Sequence, residues 1–146
     1  MFAKTQSWTS LLLAGLVAVP LGCGNNNQPS RPVVDVSAVK GKVTFEGQPT
    51  PGATVTFHPV SGVSEKTPAA SGIVGDDGSF QLTTYKQNDG AAPGKYKVTA
   101  YWTKPTDPDV DGPPLLPLKY SDPQLSGLEI EVQKGTNELA PFNLVP

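Results

Sequence analysis

Between Gly94 and Trp102 the chain alternates in character at every step. Tyr96, Val98, Ala100 and Trp102 fall on one side and Lys95, Lys97, Thr99 and Tyr101 on the other, the two-residue period of a strand with one face buried. Its flanks tie it to neighbours. Asp77-Gly78, between Val74 and Phe80, signals a tight turn, because Gly takes a positive φ without steric cost and Asp tolerates it. Tyr85 to Pro93, rich in Asn, Asp, Gly and Pro, makes a longer turn. Ile73 to Trp102 therefore predicts strand, turn, strand, turn, strand, with Gly94–Trp102 the central core strand and Trp102 on its buried face between the sheets, at the strand end where burial is less complete.

The same period recurs along the chain. Val39, Gly41, Val43 and Phe45 alternate with Lys40, Lys42 and Thr44 before Glu46-Gly47-Gln48-Pro49 turns the chain. Ala53, Val55, Phe57 and Pro59 then alternate with Thr54, Thr56 and His58. A third strand is predicted over Ala69–Val74 and a fourth over Ser79–Thr83, with Phe80 and Leu82 inward. Leu128, Ile130 and Val132 form another, with Glu129 and Glu131 outward. Lys134-Gly135-Thr136 leads to a last strand in which Ala140, Phe142 and Leu144 share a face and Pro141 marks an edge or bulge. Thr103–Gly127 carries six prolines, too many for a central strand or a helix interior. No segment has a helical period, and 15 Gly and 16 Pro in 146 residues suit many turns between short strands. The expectation is a seven-stranded antiparallel β-sandwich.

Ahead of the strands, residues 1–22 read as a targeting segment that is removed: Lys4 is the positive region, and Leu11–Val19 is an apolar run too short to span a bilayer. Leu21-Gly22-Cys23-Gly24 resembles the lipobox of bacterial lipoproteins, with Pro20 where that motif commonly has Leu. The resemblance implies cleavage before Cys23, a diacylglyceryl group on its sulfur and attachment to a membrane. Cys23 is the only cysteine, so no disulfide forms within the chain. Residues 23–35, polar and without period, read as a tether. Residues 36–146 are the folded domain.

Four stretches of that domain carry a further resemblance: Val39-Lys40-Gly41-Lys42-Val43-Thr44, Gly52-Ala53-Thr54-Val55-Thr56-Phe57, Gly75-Asp76-Asp77-Gly78-Ser79-Phe80 and Pro93-Gly94-Lys95-Tyr96-Lys97-Val98. Together they resemble the carboxypeptidase regulatory-like domain, a transthyretin (prealbumin)-like sandwich, over Val36 to Leu144. A lone lipidated domain with Leu118-Lys119-Tyr120 before its last hairpin is similar to small envelope lipoproteins of planctomycete-type bacteria. The resemblance implies a non-catalytic companion or adhesive module. Its motifs are turn and core residues, which specify fold better than function.

Chemistry narrows the function further. A net charge of −2 with scattered lysines offers no basic face for nucleic acid. His58 is the sole histidine, too few nitrogen ligands for zinc, and Gly-x-Ser-x-Gly does not occur. Neither an enzyme nor a cofactor is expected. Asp107, Asp109 and Asp111 before Gly112 reproduce the opening of an EF-hand loop. Its twelfth place holds Leu118 in place of Glu, and Pro108, Pro113 and Pro114 forbid the flanking helix, so these three aspartates remain a candidate for a looser cation loop only. Asp76, Asp77 and Asp89 are weighed likewise against ordinary turn roles. Tyr85, Tyr101 and Tyr120 are candidates for an exposed aromatic surface that takes sugars or a peptide. The expectation is a non-catalytic lipid-anchored domain facing the periplasm or the cell exterior, with a structural or binding role toward an envelope protein or polysaccharide. The alternative is a secreted carbohydrate-binding or calcium-dependent adhesion module.

Overall fold

The computed structural model describes residues 33–60, 67–104 and 112–146. The targeting segment, Cys23 with its lipid and the aspartates 107, 109 and 111 lie outside the described residues. Contacts divide the chain into Met1–Ser30 and Arg31–Pro146, and the description concerns the second unit. Among the described residues nine strands are formed: β1 (Val39–Phe45), β2 (Gln48–Pro49), β3 (Thr54–Pro59), β4 (Ala70–Ile73), β5 (Ser79–Gln81), β6 (Gly94–Tyr101), β7 (Leu128–Val132), β8 (Asn137–Glu138) and β9 (Phe142–Leu144). One sheet gathers on β1, which pairs antiparallel with β2 and β5 and parallel with β8 and β9. The other is antiparallel throughout, in the order β4-β3-β6-β7. As far as the described residues go, this unit is a two-sheet β-sandwich.

It has nine strands where the sequence pattern predicts seven, and two of its pairings are parallel. Both extra strands have local causes. Glu46 and Gly47 take φ of 51° and 78°, so the chain reverses in two residues of primed-turn geometry and Gln48–Pro49 folds back on Thr44 and Phe45. At the other end, Lys40 pairs with Glu138 and Val43 with Phe142. Three steps along β1 therefore face four along its neighbour, and the surplus residue is a bulge beside Pro141 that splits the last strand. The bulge shifts the phase of the side chains. Leu139 packs against the core, while Ala140, expected inward beside Phe142 and Leu144, is exposed.

The inward faces elsewhere follow the alternation. Val39 and Val43 of β1, Val55 and Phe57 of β3, Phe80, and Tyr96, Val98 and Ala100 of β6 are all buried. Each large apolar side chain among them stabilises the fold by about 1.5–3 kcal/mol relative to exposure. Phe57 is the hub of the aromatics, with ring centroids 6.3 Å from Phe80, 5.9 Å from Tyr96 and 6.4 Å from Phe142. These rings come from both sheets and fasten them together. Opposite Phe80 stands Gly41, where a Cβ would lie 2.6 Å from the ring. Gly41 is thus the gap into which Phe80 fits.

Trp102 is half-buried, and its indole N–H donates to the Pro51 carbonyl at 2.9 Å. Past it Pro114 and Leu115 lie alongside the end of the strand. Leu115 N–H donates to the Trp102 carbonyl at 2.8 Å, and Thr103 bridges Pro114. A single 3-10 turn, Leu118–Ser121, then delivers Tyr120 to the core.

Candidate functional site

The hairpin of β4 and β5 straddles the two sheets, because β4 pairs with β3 and β5 with β1. It is laced at both ends. Ser71 and Thr83 exchange backbone hydrogen bonds of 3.0 and 2.7 Å, and Gly75 N–H donates to the Ser79 carbonyl at 2.8 Å. Antiparallel alternation turns the backbone N–H and C=O of Ile73 and Gln81 toward each other between those ends. That pair is not bridged, since Ser71–Thr83 stands as an isolated bridge. The strands diverge there toward different sheets and leave an open trough of about 530 Å³.

The floor and walls are uncharged. Gln81, Gln87 and Asn88 supply amides, Ser71, Ser79 and Thr83 supply hydroxyls, and Ile73 adds an aliphatic surface that is 73% exposed. Gly72 on the floor lets the Gln81 carbonyl oxygen come within 2.5 Å of where a Cβ would stand.

Two aspartates hold the rims. Asp77 accepts from the Ser79 hydroxyl at 2.6 Å and from the Ser79 N–H at 3.0 Å. Those bonds, the hydroxyl's first, draw its carboxyl below the ordinary value. On the other rim, Asp89 accepts from the N–H groups of Thr84, Tyr85 and Lys86 at 2.7, 3.0 and 2.8 Å. Partial desolvation is the largest single influence on Asp89 and opposes ionisation, but the three donors together outweigh it and lower its pKa. Asn88 takes a φ of 60°, and its N–H donates to the Thr83 hydroxyl at 3.0 Å. The loop that presents Gln87 and Asn88 is therefore built around a carboxylate. Asp89, weighed above as a cation ligand, spends both carboxylate oxygens on its turn, and Asp77 spends Oδ1 on the turn to Ser79. Among the described residues, no three His, Cys, Asp or Glu side chains cluster as a metal site would require.

The tyrosines are not brought together. Tyr120 is only 5% exposed, and its hydroxyl donates to the Val145 carbonyl and accepts from the Val145 N–H, both at 3.0 Å. It clamps the chain after β9 and belongs to no ligand surface, because both its ring and its hydroxyl are used internally. Tyr85 is 40% exposed and its hydroxyl accepts from Val34 N–H at 3.2 Å. It also lies near Tyr96, whose phenol burial, and secondarily Tyr85, push to a pKa of about 12. Tyr101, 41% exposed, is five residues further along the strand, roughly 17 Å away at the rise of an extended chain. His58 Nε2 lies 3.0 Å from the Thr99 hydroxyl on the outer face of β3 and β6. The alternation of β4 held one signal for the trough: Ile73 is an isoleucine at an outward position, next to buried Gly72 and Val74.

No family model matches the chain, and no curated protein matches it. Two solved structures are similar to it. A DUF3823 family protein from Parabacteroides merdae is 17% identical, with 77% of this chain and 46% of that chain covered and a TM-score of 0.38. A second DUF3823 family protein, from Bacteroides ovatus, is 12% identical, with 75% and 44% covered and a TM-score of 0.38. The match thus spans less than half the length of either solved protein. At that score neither likeness bears on function, and the sandwich rests on its own strand pairings.

Proposed function

We propose that this chain is a non-catalytic, lipid-anchored domain of the bacterial cell envelope, of the carboxypeptidase regulatory-like, transthyretin-like kind, which holds a neutral saccharide in the β4–β5 trough. The observation that carries the binding role is the trough itself: a concave, uncharged surface of amides and hydroxyls beside an exposed isoleucine. A sugar ring matches that lining, since its hydroxyl edge both donates and accepts hydrogen bonds while its C–H face packs on aliphatic surface. Support for the anchor comes from the sequence Leu21-Gly22-Cys23 behind an apolar run. One lipid chain gives only marginal membrane binding, so a diacylglyceryl group suits a stable attachment. Among the described residues no helix is long and apolar enough to cross a membrane.

The experiment has two arms. Mass spectrometry of the membrane fraction is expected to find a diacylglyceryl adduct on Cys23 that Cys23→Ala abolishes. Retention of the full chain on insoluble cell-wall polysaccharide is expected to fall about tenfold with Gln81→Ala plus Ile73→Ala, and to be unchanged by Tyr101→Ala. An unmodified N-terminus at another residue would refute the anchor, and retention indifferent to Gln81 and Ile73 would refute the binding role.

A further inference from the structure

Among the described residues, β7 has no partner on the edge away from β6. Other outer positions are blunted: β8 and β9 carry the bulge and Pro141, β2 is two residues long, and β4 and β5 are laced to each other. β7 has five residues, Leu-Glu-Ile-Glu-Val, without proline, glycine or bulge. Its register fixes which groups are free. Val60 N–H donates to the Lys95 carbonyl at 3.0 Å, so Lys95 and Lys97 turn their backbone groups toward β3, and Tyr96 turns its own toward β7. Ile130, opposite Tyr96, bonds inward. Glu129 and Glu131 therefore point their N–H and C=O groups out of the sheet.

Side-chain charge follows the same rows. Glu131 stands opposite Lys95 and Glu129 opposite Lys97, and a depression of about 280 Å³ on this face is lined by Val60, Lys95, Ile130 and the two glutamates. We propose that the free edge of β7 receives an extended segment of a partner protein that carries Lys or Arg at alternate positions. Such a segment continues the alternation of sign from β6 through β7 to a third strand, with each cation opposite a glutamate and its aliphatic stem over the depression. Main-chain hydrogen bonds supply the affinity, and charge supplies the choice of partner. A second copy of this chain is disfavoured, because antiparallel pairing centred on Ile130 sets Glu129 of one copy against Glu131 of the other.

The test uses the full chain and a short fluorescent peptide of alternating Thr and Lys, read by anisotropy at low salt. Two control peptides accompany it: one with Glu for Lys, and one with the same lysines but N-methyl groups on alternate backbone amides. The Lys peptide is expected to bind at least about tenfold more tightly than either control. Glu129→Lys combined with Glu131→Lys is expected to invert the preference between the Lys and Glu peptides. Equal binding of the N-methylated peptide would mean attraction of charge without strand addition, and failure of the Lys peptide to bind would mean a guarded edge. Either result overturns the proposal without bearing on the trough.

Discussion

Thr50 is fully buried, and its hydroxyl oxygen has no hydrogen-bond partner. It sits where the chain must turn into β3: its carbonyl accepts from Ala53 N–H at 3.1 Å across Pro51 and Gly52, and Gly52 supplies the φ of 80° that this turn demands. A buried polar group without a partner costs about 1–3 kcal/mol, and replacing it with an apolar group of the same shape recovers much of that. Thr50→Val is therefore expected to raise stability by about 1 kcal/mol, and a urea melt that shows it less stable than the parent would refute this account of Thr50. Tyr120 illustrates the reverse case, an aromatic whose polar tip is fully satisfied. In the sequence the two tyrosines Tyr101 and Tyr120 look alike. What separates them is the 3-10 turn that carries Tyr120 inward, which no local periodicity announces.

Among the elements, the segment after β5 is organised around one carboxylate. Asp89 holds three backbone N–H groups, and Gly90 follows with a φ of 98° at a spot where a Cβ would stand 1.8 Å from the Ser37 carbonyl oxygen. The folded-state pKa of Asp89 lies below the ordinary 3.8. Its contribution is thus present above that ordinary value and is lost as pH falls through the depressed folded one. Because Asp89 is largely solvated, Asp89→Asn is expected to cost at most about 1–2 kcal/mol at neutral pH. Thermal melts of parent and variant should converge as pH drops well below 3.8. A gap that persists in acid would show that the carboxylate charge is not what holds the loop. The elements themselves were mostly legible from alternation: β1, β3 and β6 bury most of the apolar residues that the period selects, β7 buries Val132 and half-buries Leu128 and Ile130, and only Thr99 of β6 is buried against the pattern. The hidden parts were those where period fails. β2 is too short to show a period, and the bulge at β8–β9 replaces Ala140 with Leu139 on the inner face. Apart from the outward Ile73, the trough was illegible for a related reason. It arises because one hairpin serves two sheets, and that depends on which strands pair over long range rather than on any run of residues.

At the scale of the whole sandwich, the aromatic cluster around Phe57 joins the two sheets, and both proposed binding surfaces lie outside that core. The trough opens on one edge strand and β7 lies at the opposite edge of the same four-stranded sheet. Amide chemical-shift mapping tests most directly whether the β4–β5 trough holds a neutral saccharide. Titration of the isotope-labelled full chain with soluble, uncharged wall-derived oligosaccharides is expected to shift the amides of Ile73, Ser79, Gln81, Thr83 and Asn88 together, leaving Tyr101 and Glu129 unmoved. Shifts confined to Tyr101 or to β7, or none in the trough at saturating sugar, would contradict it.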